Sequence, residues 1–243
     1  MKTIFLVFTL LLSGYSFGQA IQLKEQSNQL KPELWLGIWD KKNSASKINI
    51  DTLSYDDIPK YLDFRGTVVE ALRWTDEASE KILVQTITGQ FNRKDYEENS
   101  KEFLIQDKSE LYVYLFERKE SGDKFNISWK IHDFTECFGV DLFTGFIPKA
   151  TTITDIDNDG ITEVTVPYVL ICRGGMDPGT MKIIMYEGSE KYALRGSTMI
   201  ACDGENPYGG KNSASENLNS NAVFLNFLNK RWDSHKCEKD RFY

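Results

Sequence analysis

Asp155, Asp157, Asp159 and Glu163 crowd into the ten-residue stretch TDIDNDGITE, together with Gly160. Counted from Asp155, the carboxylates take positions 1, 3, 5 and 9, glycine position 6 and Ile161 position 7. Alternate residues of a tight loop can turn their oxygens toward one centre. The hard cation Ca²⁺ takes six to eight oxygens at about 2.3–2.6 Å. Gly160 permits the positive φ of a sharp reversal, the backbone carbonyl of Ile161 offers a further oxygen, and Glu163 closes the sphere directly or through water. Carboxylates 4–5 Å apart repel by roughly 1 kcal/mol per pair in water and several times that at an effective dielectric near 20. A bound cation removes that repulsion. Mg²⁺ suits so crowded a cage less well, and calcium is plentiful enough outside cells for an affinity on the order of 10⁻⁴–10⁻³ M to suffice. The ion therefore reads as structural. The competing reading is a solvated acidic turn, since Asp, Asn and Gly are ordinary turn formers.

Other chemistry is sparse. The G-x-S-x-G match, Gly14–Gly18, lies in the leader described below, so the nucleophile-elbow reading fails. His132 alternates outward on a strand pattern and His235 sits in a polar tail, so both read as surface residues. No H-E-x-x-H, P-loop or dinucleotide fingerprint occurs. A glycan-acting enzyme would need two acids about 5–9.5 Å apart, and Asp133, Glu136 and Asp141, which lie near one another in sequence, are candidates. Strand-end acids are usually only solvated, so the non-catalytic reading is preferred. CRGGMDPG, Cys172–Gly179, reads first as a turn, and Arg173 within it as a surface ion pair.

The elements that position these residues belong to an exported chain. Lys2 followed by the apolar run Ile4–Leu12 and small residues at Ser16 and Gly18 has the form of a secretory signal peptide, 1–18, with Ala20 as the alternative cleavage point. That run is shorter than the roughly 20 residues needed to span a bilayer, and no later stretch is longer. No cysteine stands at the junction, so lipid attachment is not expected. The expected location is the periplasm or beyond. The formal net charge is −7, one unit more negative without Lys2, which argues against nucleic acid and anionic membrane as partners. Cys137, Cys172, Cys202 and Cys237 form an even set, which in an exported chain implies two disulfides. Three connectivities are open. Sequential pairing closes two loops of about 35 residues, each roughly 3.8 kcal/mol in the chain-entropy model, and the alternatives are similar. No C-x-x-C occurs, so neither zinc knuckle nor thioredoxin-type centre is indicated.

After the leader comes an irregular arm, 19–60, and then one β-rich domain, 61–243. Its first strand group is TVVEALRW from Thr67, KILVQTITG from Lys81, LYVYLFER from Leu111 and FNISWKIHDF from Phe125. In the last, Phe125, Ile127, Trp129 and Ile131 alternate with polar residues as a half-buried strand should. KESGDK supplies a hairpin turn before it. The second group is ATTITDI, ITEVTVPYVLI, TMKIIMYEG and KYALRGSTM. Pro167 cannot donate to a ladder, so its strand is expected at an edge or with a bulge, and an exposed edge there could bind a partner. ACDGENPYGGKNSASENLNSN reads as loop throughout. From Ser220, a plausible N-cap, Phe224, Leu225, Leu228 and Trp232 share one face of a helix packed on the sheet. The fold class is thus mainly β, an antiparallel meander forming a sandwich or partial propeller-like sheet, with a C-terminal helix.

Two resemblances extend this reading. An EF-hand would place Glu at position 12 and continue as a helix; here position 12 is Val166, within a β-branched run. D-x-D-x-D-G-x-x-E leading into a strand instead resembles the calcium loops of FG-GAP and VCBS-type β-propeller repeats, over about Thr151–Tyr168. In those families the loop joins antiparallel strands and the ion rigidifies the turn. The stretch occurs once here. More broadly, Asp155–Gly196 resembles small secreted bacterial proteins labelled surface polysaccharide biosynthesis proteins, through the acidic loop, Tyr168, Leu170, Cys172 and Arg173, MKIIMYEG and KYALRG. That likeness implies association with surface polysaccharide or another envelope protein, assigns no catalytic residue, and implies pairing of Cys172 with Cys137.

Overall fold

The computed structural model describes residues 37–45, 47–96, 103–204 and 206–238. The signal peptide 1–18 and the arm as far as residue 36 lie outside the described residues.

Strands β1 (Asp51–Thr52), β2 (Thr67–Thr75), β3 (Glu80–Tyr96), β4 (Phe103–Arg118) and β5 (Asn126–Cys137) form one five-stranded antiparallel meander in that order. The chain then crosses to a second antiparallel sheet. This sheet is built from β6 (Asp141–Phe146), β7 (Thr152–Thr154), β8 (Glu163–Arg173), β9 (Thr180–Glu187), β10 (Glu190–Ser197) and β13 (Asn212–Ala214), with β6 and β7 sharing one edge of β8. The small pair β11 (Met199–Ile200) and β12 (Tyr208–Gly209) precedes β13. Short helix α1 (Glu216–Asn219) and helix α2 (Ala222–His235) end the described chain. Neither sheet closes into a barrel, and the two antiparallel sheets share one core between them.

Leu72, Leu83, Val113, Trp129 and Ile131 of the first sheet meet Ile153, Val164, Val166, Ile184 and Tyr186 of the second. Trp129 stacks on Tyr186 across this interface at 4.2 Å. Fully burying each such side chain contributes about 1.5–3 kcal/mol. The outer faces are covered as well. Ile58 and Leu62 lie over Val84, Tyr112 and Phe116, and Phe224, Leu228 and Trp232 of α2 pack on Ile171, Met181, Ile183 and Leu194. The described part of the arm is thus integrated: Trp39 bridges to Thr151, and Asp40 pairs with the buried Arg231 of α2 at 2.8 Å.

Four expectations change. Pro167 lies in the central strand β8, paired in register with Ile183 of β9. Its carbonyl points to the other side, where it accepts from the Ile147 amide. There the edge is broken between β6 and β7, so the missing N–H falls where no ladder bond is due, and Pro167 is itself buried rather than on an exposed edge. Ile127 is 53% exposed. Leu115 faces Trp129 but Phe116 faces Ile127, so Ser128 is bulged out and the alternation slips by one. The long polar stretch 201–221 carries β12, β13 and α1 rather than loop alone. The N-cap of α2 is Asn221, whose side chain accepts from the Phe224 amide, and not Ser220.

Both disulfides are sequential, Cys137–Cys172 and Cys202–Cys237. No helix among the described residues is long and apolar enough to cross a membrane.

Candidate metal centre

The acidic loop, 155–162, joins β7 to β8. Three residues at its base lie side by side across the sheet: Thr154 opposite Glu163, and Glu163 opposite Glu187 at the end of β9. Asp155, Asp157 and Asp159 each bring one oxygen within 4.8 Å of the others, and Asp157, Glu163 and Glu187 do the same. Asp157 belongs to both sets. The two sets together hold five carboxylates, two more than the loop 155–162 itself carries.

Glu163 is fully buried. It accepts from the Thr154 hydroxyl at 2.7 Å and from the Ile156 amide at 3.1 Å, holding the loop's first turn. Burial, with the Asp157 charge adding to it, pushes its carboxyl up to about 7. Burial also raises Glu187, reinforced by Asp157, Asp159 and Asp155. Two like charges directly opposite on neighbouring strands are destabilising. This juxtaposition needs a proton or a cation. Asp155 Oδ1 and Glu187 Oε1 are buried oxygens with no hydrogen-bond partner, which is where a cation would find vacant acceptors.

The loop's tip is shaped by its own backbone. Asn158 and Gly160 both take positive φ, +61° and +86°. The Asp159 amide donates to Asp157 Oδ1 at 3.3 Å, and the Ile161 amide to Asp159 Oδ1 at 2.8 Å. Ile161 thus engages the cluster through its N–H, and the carbonyl beside it, that of Gly160, accepts from the Glu77 backbone amide at 3.2 Å. Ile156 turns the other way and packs against the α2 side of the second sheet.

A clamp from the first sheet holds the far side of the loop. In the β2–β3 turn, Asp76 accepts from the amides of Ala78 and Ser79 and from Lys81 Nζ at 2.5 Å through one oxygen. Through the other it accepts from the Thr162 amide at 3.0 Å and hydroxyl at 2.7 Å. The Trp74 indole N–H donates to the same hydroxyl at 2.9 Å. Burial alone would raise the Asp76 carboxyl, but the Lys81 ammonium and the Thr162 donors outweigh it and hold it below its ordinary range.

Of the residues singled out in the sequence, Asp155, Asp157, Asp159 and Glu163 come together, with Ile161 adjoining them. Glu187 and Asp76 were missed. A signal for Glu187 exists in hindsight: a bulge-free hairpin folded about Gly175 sets it opposite Glu163. No local pattern marks Asp76, because its partner Thr162 is 86 residues away.

The remaining candidates disperse. Asp133 faces the second sheet, where it accepts from the Tyr168 hydroxyl at 2.9 Å and Lys182 at 2.5 Å. Glu136 faces outward to Arg93 and Lys108, and Asp141 is exposed at the start of β6. Arg173 forms a buried pair with Glu238 at 2.7 Å rather than a surface one, since the C-terminal segment folds over it. His132 stacks on Tyr112 on the outer face, and His235 ends α2 half-buried. Neither joins a metal-ligating group among the described residues.

The class of molecule defined by this fold and site is a disulfide-linked antiparallel sandwich with an acidic centre at one end of its second sheet. Compared with known proteins, the chain matches no family model, no curated protein and no solved structure.

Proposed function

We propose that this is an exported, non-catalytic binding module of the cell envelope or extracellular space, in which one structural Ca²⁺ organises a face that contacts surface polysaccharide. The observation that carries the reading is the meeting of Asp155, Asp157 and Asp159 with the buried Glu163 and with Glu187 from another strand. Asp155, Asp157, Asp159, Glu163 and Glu187, with the Ile161 carbonyl, are the groups that would hold the ion. Bound there, it supplies charge neutralisation and fastens β7, β8 and β9 at one point. Two disulfides suit an oxidising compartment, as the leader-like N-terminus does. The polysaccharide assignment rests on the resemblance of Asp155–Gly196 to secreted proteins carrying that label.

A glycan array probed with the mature protein tests this reading. Binding is expected with millimolar Ca²⁺ and is expected to disappear in EDTA. Binding indifferent to chelation would contradict the role of the ion, and turnover of any arrayed sugar would contradict the non-catalytic assignment.

A further inference from the structure

β8 runs about 33 Å from Glu163 to Arg173, and the end of the sandwich it reaches differs in chemistry from the acidic end. Phe138, Val140, Met176 and Tyr208 are 55, 42, 68 and 45% exposed there. They come from the β5–β6 turn, the β8–β9 turn and the short strand β12, which the structure holds together. Val140 lies against Gly174, the Tyr208 hydroxyl donates to the Met176 carbonyl, and Pro178 lies against Gly209. Ile105, 52% exposed, lies two residues before Asp107, which pairs with Cys137.

Scattered exposed apolar residues need no explanation, whereas a contiguous group on neighbouring loops marks an interaction site. Here both disulfides sit at the same end. Cys137–Cys172 ties the β5–β6 turn to the end of β8. Cys202–Cys237 ties the loop after β11 to the C-terminal segment, whose Glu238 accepts from Arg173, the Gly179 amide and the Thr198 hydroxyl. Covalently fixed loops hold large apolar side chains in water instead of letting them collapse inward. Such loops have already lost the entropy that a binding surface must otherwise lose on contact.

Charge selects among occupants. Asp141 and Asp177 are exposed around the patch. Segments 138–142 and 174–179 and the described residues of 201–210 contain no Lys or Arg. The nearby Arg93 and Lys108 are both engaged by Glu136. A second copy would set these aspartates against themselves, and an anionic lipid surface would be repelled. We propose that this apolar pole is a docking surface for a polypeptide whose apolar contact face is bordered by Lys or Arg.

The proposal is independent of the ion, because the acidic centre is at the other end of β8, so either can fail alone. The test uses the mature, disulfide-intact protein and synthetic peptides of one length, each with the same Leu/Phe/Trp-bearing run flanked by Lys, Glu or Ser. Fluorescence anisotropy should show Lys-flanked peptides bound most tightly, with affinity falling as salt rises and unchanged by EDTA. The double variant Phe138→Ser/Met176→Ser should bind them about tenfold or more weakly while keeping the wild-type melting point. Equal binding of Glu-flanked peptides, no binding of any, or an unaffected double variant would overturn the proposal. So would a concentration-dependent dimer, or sedimentation with phosphatidylcholine or phosphatidylglycerol vesicles, that the double variant abolishes; those results would give the surface to a second copy or to lipid.

Discussion

Asp76→Ala is expected to lower the unfolding free energy by about 3–5 kcal/mol, the usual cost of breaking a buried ion pair by removing one partner. The Asp76 and Lys81 side chains are 2% and 3% exposed, so truncation leaves the Lys81 ammonium buried beside only the Ser79 hydroxyl. It also strips the acceptor from the Thr162 amide and hydroxyl, leaving the Trp74 indole and the Glu77 amide to tie the acidic loop to the first sheet. Urea unfolding at pH 7 measures the loss. The pH dependence carries a sign. The folded-state pKa of Asp76 lies below its ordinary 3.8, so its contribution is present above about pH 4 and disappears as pH falls through the folded value. Asp40, Glu80 and Glu110 are lowered too and share that acid limb, so the wild-type-minus-variant difference isolates Asp76. A difference that stayed constant from pH 7 to pH 2 would show that the carboxylate charge is not what Asp76 contributes.

Asp157→Asn is the second large effect, and its direction depends on the ion. Asp157 is the one carboxylate common to both groups of the centre. Its loss is expected to weaken Ca²⁺ binding about a hundredfold, near 2.7 kcal/mol. Without the ion the same substitution removes repulsion toward Glu163 and Glu187, whose protons are held tightly partly because of that charge. The variant should therefore melt above wild type in EDTA and below it in millimolar Ca²⁺. Differential scanning fluorimetry in the two buffers reads this crossing. A variant that melts lower in both would mean that Asp157 only shapes the loop, through the bond it accepts from the Asp159 amide.

Much of this architecture is legible in one dimension because it depends on local pattern. The alternation within β5, the Gly and Asp of KESGDK and the helical spacing of Phe224, Leu228 and Trp232 each report on neighbours close in the chain. The acidic loop is legible for the same reason, with its ligand types and its glycine in nine residues. What escapes such reading is set by pairing between distant segments. Glu187 matters only because β9 lies in register with β8, and Asp76 only because the first sheet's turn reaches Thr162. Pro167 misleads because its tolerance depends on a gap in a neighbouring strand rather than on the position of its own. The bulge at Ser128 reverses Ile127 without any glycine to announce it. Strands β12 and β13 have only two and three residues, too short for any period to show.

Isothermal titration calorimetry of the chelator-stripped mature protein with CaCl₂ addresses the central claim most directly. Uptake of a single ion per chain is expected, with a dissociation constant on the order of 10⁻³ M or tighter and a melting point that climbs with free Ca²⁺. A flat titration into the millimolar range, with melting unchanged, would contradict a metal centre at Asp155–Glu163 and leave five crowded carboxylates held by protons alone.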